Sequence, residues 1–256
     1  MGATNYRDSL VALMYDQTNQ GRHQKELALY SSELAGCAGP VLEVACGTGM
    51  ILLELLERGL DAYGFDISEE MLEVLYSKAG ERGMDDIHSR VSRQDMCWFE
   101  YDLSFDAIII PARSFLHLVE QKDQIACLRA IHAHLKPGGR LLMNFFNPSL
   151  DLIVKGTQPS PEYRQQGIYP HPDTGKPVEL SFKQINDTDR QVQYIDWRID
   201  DGEVLHETTM TVRWIYREEF KLLLRLAGFE KWELYGDFDR SAFNSDSDEM
   251  IWVAQK

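Results

Sequence analysis

The sequence contains few cysteines, and their placement excludes two classes of protein. Only four occur in 256 residues, at Cys37, Cys46, Cys97 and Cys127, without a CxxC pair or a cluster with histidine. This spacing argues against a disulfide framework and against a structural zinc site, and it is typical of a protein from a reduced cytoplasm. We therefore expect no bound metal and a cytoplasmic location.

Basic residues are also scarce. Lys and Arg total 26 against 41 Asp and Glu, which gives a formal net charge of -15. Such a charge repels phosphate backbones unless basic residues are concentrated on one surface, and the sequence has no basic run. We therefore expect no nucleic-acid partner.

Long apolar runs are absent as well. No stretch approaches the roughly 20 apolar residues that span a bilayer, and the first residues, MGATNYRDSL, lack the basic-then-apolar pattern of a signal peptide. The chain is nevertheless 44% hydrophobic, enough for a large core. These features predict a globular protein that does not associate with a membrane.

Between residues 41 and 148, short apolar runs alternate with helical patterns. The predicted strands are VLEVAC, DAYGFD, SRVSRQD, FDAIIIP and GRLLMNFF, and one of the intervening helices begins at the N-cap Ser68. Strands that alternate with helices predict a mostly parallel sheet with helices on both faces. The turn at residues 136–139, KPGG, is predicted to end the last of these helices before a strand that begins near Leu141.

The composition changes after Phe146. Residues 147–177 hold most of the prolines and are predicted to form a long loop or lid. The runs VELSFKQIN, RQVQYIDWRID and EVLHETTMTVRWIY follow, and the Asp201-Gly202 pair between the last two predicts a hairpin. A helix closed by Gly228 and two strands complete the chain. The predicted segments are a helical cap at 1–38, a core at 39–148, a loop and β insert at 149–215, and a closing segment at 216–256.

The first predicted strand carries a carboxylate just before a glycine loop. Glu43 precedes the loop Gly47-Thr48-Gly49. This loop places bare backbone N–H groups at the carboxyl end of the strand, where open α/β sheets bind ligands. Glu43 would repel a pyrophosphate, but it would accept a hydrogen bond from a cationic or amino ligand. Asp66 lies one strand-helix-strand step later, at the spacing from which a carboxylate holds ribose hydroxyls. Either carboxylate can instead cap its own loop.

The ordered set VLEVACGTGM, GFDIS, RQDM, FDAIIIPARSFLHL and LKPGGRLLMNFFNP resembles the class I S-adenosylmethionine (SAM)-dependent methyltransferases. The resemblance covers residues 40–148 and extends to the C-terminus through YGDF and EMIWVAQK. It implies an α/β fold with a Rossmann-like, seven-stranded, mostly parallel sheet whose last strand is antiparallel, to which this chain adds an antiparallel β insert. It also implies SAM as the cofactor and S-adenosylhomocysteine (SAH) as its product.

The resemblance further implies which residues contact the cofactor. Glu43 and the loop would lie near the methionine moiety, Asp66 on the ribose, and Asp95 with Met96 beside the adenine. Tyr15 and Tyr30, in the N-terminal helical segment, would cover the cofactor or else pack in the core. The remaining expected contacts are Ala45, which stands where many members have glycine, and Cys46, Gly47, Gly49, Ile67, Met71 and Ile110.

Methyl transfer from a sulfonium is an in-line displacement, so alignment and exclusion of water supply much of the rate. A base is required only when the nucleophile arrives protonated. His117, which follows the fourth predicted strand, is the candidate base or orienting group, with Ser114 and Arg113 close to it in sequence. Alternatively, His117 only hydrogen-bonds to the backbone.

The residues after the fourth predicted strand narrow the acceptor. Residues 110–113, IPAR, lack the Asn-Pro-Pro-aromatic signature of methyltransferases that act on base amines, and they lack the Pro-Cys nucleophile used on cytosine. We expect a small-molecule acceptor, with an amine preferred to a hydroxyl or thiol. A protein acceptor and a non-catalytic SAM- or SAH-binding protein are the alternatives. The aromatic-rich insert is expected to wall the acceptor pocket or to form a homodimer interface.

Calorimetric titration with SAM, SAH and NADH tests the cofactor assignment. SAM and SAH are expected to bind, because Glu43 and Asp66 suit a cationic ligand that carries a ribose. NADH is expected not to bind, because Glu43 repels its pyrophosphate, and Asp66→Ala is expected to weaken SAM binding. Failure of both SAM and SAH to bind would contradict the interpretation of the two carboxylates.

Overall fold

The computed structural model describes residues 9–158 and 162–256. Residues 1–8 of the predicted cap and residues 159–161 of the predicted insert lie outside the described part. No helix of the described part is both long and apolar enough to cross a bilayer.

The helices are α1 (Ser9–Leu34), α2 (Leu52–Glu57), α3 (Glu69–Glu81), α4 (Ile87–Arg90), α5 (Gln121–His134), α6 (Leu150–Lys155) and α7 (Arg217–Ala227), with a 3-10 helix at Ser114–His117. The strands are β1 (Val41–Val44), β2 (Ala62–Asp66), β3 (Val91–Arg93), β4 (Phe105–Ile110), β5 (Leu135–Phe146), β6 (Arg164–Pro170), β7 (Pro177–Asp187), β8 (Val192–Asp200), β9 (Leu205–Arg213), β10 (Lys231–Tyr235) and β11 (Glu249–Gln255).

Seven strands form the main sheet, in the order β10-β11-β5-β4-β1-β2-β3. The strands from β3 across to β5 pair in parallel, whereas β11 pairs antiparallel with both β5 and β10. All four residues of β1 are buried, as expected of a strand covered on both faces, and all of them except Glu43 are apolar. The predicted Rossmann-like sheet with an antiparallel last strand is confirmed.

The sheet separates two buried clusters of apolar side chains. One cluster packs α5 and α7 against one face, and the other packs α1, α2 and α3 against the opposite face. Successive side chains of a strand point to opposite faces, so Ile108 enters the first cluster and Ile109 the second. This two-sided burial leaves the strand ends as the part of the sheet where polar residues gather.

The insert is a separate four-stranded antiparallel sheet in the order β6-β7-β8-β9, as predicted. The first turns of α1 pack on it, where Leu10 and Val11 join Val178 and Ile199 in a third cluster. The prediction of a loop at 147–177 is wrong in part, because α6 and β6 lie there. β6 is an edge strand that ends in Pro170, a position where proline does not interrupt the ladder.

β5 begins earlier than its sequence pattern predicts. The strand starts at Leu135, which pairs with Phe105, and not near Leu141. A shift of register follows, after which Ala107 pairs with Arg140, and Gly138 in this irregular part has a φ of +79°. The glycine pair therefore forms an irregularity within the strand and does not mark its beginning.

Two glycines at positive φ offer a test of packing around the glycine loop. Gly49 has a φ of +76°, and a Cβ there would lie 2.8 Å from Leu75 Cγ. Gly59 has a φ of +82°, and beyond its own atoms and its two chain neighbours, no atom of the described residues lies within 4 Å of its added Cβ. Gly49→Ala is expected to lower the free energy of unfolding by about 2–5 kcal/mol, since overpacking adds to left-handed strain. Gly59→Ala, with strain alone, is expected to cost about 1–2 kcal/mol. Equal losses in urea unfolding would contradict this packing.

Candidate active site

The carboxyl ends of three neighbouring strands meet at one edge of the main sheet. β1 ends at Val44, β2 at Asp66 and β4 at Ile110, and all three strands are parallel. The loop after β1 contains Ala45 at a φ of 57° and Gly47 at 53°. Ala45 thus adopts the left-handed conformation that suits glycine, at a cost of roughly 1–2 kcal/mol.

Asp66 fixes the shape of the glycine loop. Its Oδ2 accepts a hydrogen bond from the backbone N–H of Gly47 at 2.8 Å, and its Oδ1 accepts one from Ser68 at 2.9 Å. Burial raises the pKa of Asp66, while these backbone N–H groups lower it. Asp66 therefore does cap its own loop, which was one of the two roles predicted for it. The same hydrogen bonds place its carboxylate beside the glycine loop that a ligand would contact.

Glu43 is a buried carboxylate with an unsatisfied oxygen. The residue is 2% exposed, and its Oε2 has no hydrogen-bond partner among the described residues. Burial raises the pKa of Glu43 well above its usual value, and the nearby carboxylates Glu26 and Asp66 raise it further. A buried carboxylate without a partner is costly, and a cationic group beside it would offset that cost. A role confined to capping its own loop leaves Oε2 unexplained.

A cavity of ≈ 40 Å³ lies beside Glu43 and is covered by α1. The residues of α1 that border it include Tyr15, Asn19, Arg22 and Glu26, whose spacing places them on one face of the helix. The Nε of Arg22 is buried, lies 3.6 Å from Glu26 Oε1, and has no hydrogen-bond partner among the described residues. Asn19, Arg22 and Glu26 were not predicted as site residues from the sequence, although their helical spacing was a usable signal.

Glu26 joins α1 to the loop after β4. Its Oε1 accepts hydrogen bonds from the backbone N–H of Ala112 at 3.1 Å and from Asn144 Nδ2 at 3.0 Å. Burial raises the pKa of Glu26, and the ion pair with Arg22 lowers it. Tyr30 is fully buried and donates its hydroxyl to Asn144 Oδ1 at 2.7 Å, so it packs in the core and borders neither site cavity.

The loop after β4 holds two successive residues at positive φ, Ala112 at 58° and Arg113 at 63°. The guanidinium of Arg113 is hydrogen-bonded to Glu249, with a distance of 2.9 Å from its Nε, and lies 5.5 Å from the centre of the Phe146 ring. Contacts from α1 and β11 thus hold a strained backbone in place. Ser114 donates its hydroxyl to the Pro111 carbonyl at 2.8 Å and borders neither cavity.

A larger cavity of ≈ 300 Å³ lies between α1, the 3-10 helix and the insert sheet. His117, Phe146 and Trp197 are among its walls. Four residues border both cavities, namely Tyr15, Asn19, Arg22 and Ala112. The two cavities are therefore adjacent, and the strained loop after β4 lies at their junction.

His117 borders the larger cavity as a half-buried side chain. Burial lowers the pKa of His117 to about 4, and a hydrogen bond with the backbone of Thr211 acts in the opposite direction. The imidazole is therefore neutral near pH 7. Such a group accepts or donates a hydrogen bond, but it does not retain a proton taken from an ammonium group.

The other predicted contacts are divided between the cavities and the rest of the edge. Ala45, Cys46 and Gly47 border the smaller cavity. Asp95 is exposed and accepts a hydrogen bond from the backbone N–H of Cys97 at 2.8 Å. Asp66 borders neither cavity, and the same is true of Gly49, Ile67, Met71, Asp95, Met96 and the fully buried Ile110. Within the described residues, no group of three or more His, Cys, Asp or Glu could hold a metal.

Comparison with known proteins identifies the family. A family model described as a methyltransferase domain matches residues 41–139. A glycine/sarcosine N-methyltransferase of Halorhodospira halochloris is 30% identical over 219 residues, covering 84% of this chain and 75% of that protein. The chain therefore belongs to the class I SAM-dependent methyltransferases, and SAM is its cofactor.

Solved structures share the fold along nearly the whole chain. The CcbJ methyltransferase from Streptomyces caelestis aligns with a TM-score of 0.75 at 23% identity, covering 98% of this chain and 97% of that one. SAM-bound CalS10, an amino pentose methyltransferase from Micromonospora echinaspora, aligns with a TM-score of 0.65 at 19% identity, covering 94% and 96%. At these identities the likeness shows the fold.

The hydrogen bonds of Glu26 predict how stability responds to its replacement. Glu26→Ala leaves the Ala112 N–H and Asn144 Nδ2 without their buried acceptor, and it is expected to lower the free energy of unfolding by about 2–4 kcal/mol. Glu26→Gln retains an acceptor oxygen and is expected to cost clearly less. Urea unfolding at pH 7 compares the two variants. An equal loss for both would show that the charge of Glu26, and not its two hydrogen bonds, holds the loop.

Proposed function

We propose that this methyltransferase transfers the methyl group of SAM to the amine nitrogen of a small molecule at the junction of the two cavities. The observation that carries the proposal is that four residues border both cavities, so a methyl donor in one reaches an acceptor in the other. The name of the 30%-identical relative, a glycine/sarcosine N-methyltransferase, supports nitrogen as the accepting atom.

The methionine moiety of SAM fits the groups around the smaller cavity. Its ammonium requires an acceptor and its carboxylate a donor, and Glu43 Oε2 and Arg22 Nε are buried there without hydrogen-bond partners among the described residues. Asp66 is our candidate for the ribose. Asp95 and Met96, with Ile67 and Met71, are our candidates for the adenine, on the same edge of the sheet. When bound, SAM supplies an electrophilic methyl group.

The side chain of Asp16 keeps α1 over this cavity. Its Oδ1 accepts a hydrogen bond from Thr48 Oγ1 at 2.5 Å, and its Oδ2 accepts one from Lys78 Nζ at 2.5 Å. Lys78 also donates to the Thr48 carbonyl at 2.8 Å. α1 is thereby fastened to the glycine loop and to α3, which excludes water from the reacting atoms and supports alignment.

The low basicity of His117 favours an amine acceptor over a hydroxyl. A hydroxyl must lose a proton to a base whose pKa lies near the working pH, and burial lowers the pKa of His117 to about 4. A neutral amine attacks without such a base. His117 therefore orients the acceptor through a hydrogen bond. Arg113 and Ser114 already donate hydrogen bonds within the protein, to Glu249 and to the Pro111 carbonyl, so neither is our candidate for this role. O- and S-methylation and a protein acceptor remain the alternatives, and product analysis separates them.

The insert supports the proposal as a wall of the acceptor site. Ile195 and Trp197 of β8 border the larger cavity, whereas the opposite face of the sheet carries ion pairs such as Arg198 with Glu207. This arrangement favours the wall over the homodimer interface, which size-exclusion chromatography tests. We also propose that the cap, core, insert and closing segment are separate functional parts of the chain. We propose further that the enzyme is cytoplasmic and acts without a nucleic-acid or membrane partner.

Replacement of His117 distinguishes an orienting group from a base. His117→Ala is expected to lower kcat/KM for the acceptor about tenfold, the value of one hydrogen bond, while the Kd for SAM stays unchanged. The pH profile between pH 6 and 9 is expected to keep its shape, because His117 is neutral throughout that range. The assay uses labelled SAM and amine acceptors, with His132→Ala as the control. Unchanged turnover of His117→Ala would contradict any role of His117 in the reaction. Loss of an inflection from the pH profile in this variant would show that His117 acts as a base.

A further inference from the structure

The larger cavity has a charge pattern that methyl transfer alone does not require. Although the chain has 41 acidic residues, none of the described residues that border this cavity is Asp or Glu. Two of them, Arg22 and Arg113, are cationic. Because no carboxylate borders the cavity, the charge of the ligands that it can bind is restricted.

The strand register explains how the insert keeps its carboxylates away from the cavity. Ile195 pairs with Met210 and Trp197 with Thr208, and all four side chains border the cavity. The intervening Asp196 pairs with Thr209 on the other face, where it is also paired with Lys183. Side chains of a strand alternate between faces, so the insert presents an uncharged face to the acceptor and a charged face outward.

The remaining polar side chains of the cavity carry no negative charge that could pair with a cation. Gln193 and Thr208 are uncharged, and His117 is neutral near pH 7. The guanidinium of Arg113 is paired with Glu249, which does not itself border the cavity. The buried carboxylates Glu26 and Glu43 lie beside the smaller cavity instead. The amine that receives the methyl group can thus lie near these carboxylates at the junction, whereas an ammonium deeper in the larger cavity would be desolvated without an anionic partner.

The size of the cavity sets a lower limit on the acceptor. Its ≈ 300 Å³ is at the lower end of the about 300–1,000 Å³ typical of pockets for drug-sized ligands. Leu180, Ile195 and Met210 make much of its wall apolar. A molecule as small as glycine would leave most of this apolar surface in contact with water.

We infer that the acceptor carries a single amine, the one that receives the methyl group, on an apolar body larger than glycine, and that the uncharged inner face of the insert rejects diamines and other polycations. This inference rests on the proposed function, because it assigns the larger cavity to the acceptor. The larger cavity is accordingly assigned to monoamines with an apolar body.

Hexylamine and 1,6-diaminohexane form a matched pair that tests the inference, since they differ only in the second amine. Calorimetric titration into the SAH-saturated protein is expected to show hexylamine binding at least tenfold more tightly than the diamine, and more tightly than glycine. Equal or tighter binding of the diamine or of glycine would overturn the inference, and so would the failure of all three to bind.

Gln193→Glu supplies the carboxylate that the cavity lacks. This nearly isosteric variant is expected to bind the diamine at least tenfold more tightly than the wild type does. Ser181→Glu, on the outer face of the same sheet, is the control and is expected to leave the ratio of the Kd for the diamine to the Kd for hexylamine unchanged. If this ratio is also unchanged in a folded Gln193→Glu variant, the inference is overturned. If the variant does not fold, the comparison of hexylamine with the diamine in the wild-type protein decides. Methyl transfer from labelled SAM is measured separately, so its absence with every amine tests the proposed function alone.

Discussion

The burial of carboxylates at the carboxyl edge of the main sheet is the constraint on which the site depends. Glu43 lies inside a strand whose other residues are apolar, and Glu26 faces it from α1 at 3% exposure. Burial raises the pKa of both groups, and Glu26 raises that of Glu43 further. Neither charge is stable in an apolar setting without hydrogen-bond donors or a cation. Loop N–H groups and Arg22 supply part of what these carboxylates need, and in our proposal the positively charged cofactor supplies the rest.

Buried carboxylates also hold the backbone at the junction of the two cavities, through Glu26 and Glu249. Ala112 and Arg113 are strained, and the residues that hold them are far away in the sequence. Glu26 precedes Ala112 by 86 residues, and Glu249 follows Arg113 by 136 residues. The first helix and the last strand therefore meet at the loop after β4, and the shape of the junction between the two cavities depends on the folding of the whole chain.

The sequence predicts the sheet, the glycine loop and the positions of Glu43 and Asp66, because parallel strands bring consecutive strand ends to one edge. It does not predict the contacts of α1. Arg22 and Glu26 have a recognisable helical spacing, but only tertiary packing shows that they face Glu43. Tyr30 illustrates the same limit, since its spacing allows both a cofactor contact and the core position that it occupies. The edge strand β6 is hidden by a proline- and glycine-containing composition that resembles a loop.

A crystal structure of the protein with SAH would give the distance from Glu43 Oε2 to the amino group of the ligand. This oxygen is expected to accept a hydrogen bond from the amino group, directly or through one water, and Arg22 is expected to lie near the ligand carboxylate. A ligand bound with its amino acid moiety elsewhere, and Glu43 Oε2 still without a partner, would contradict the role of the buried carboxylate in cofactor binding.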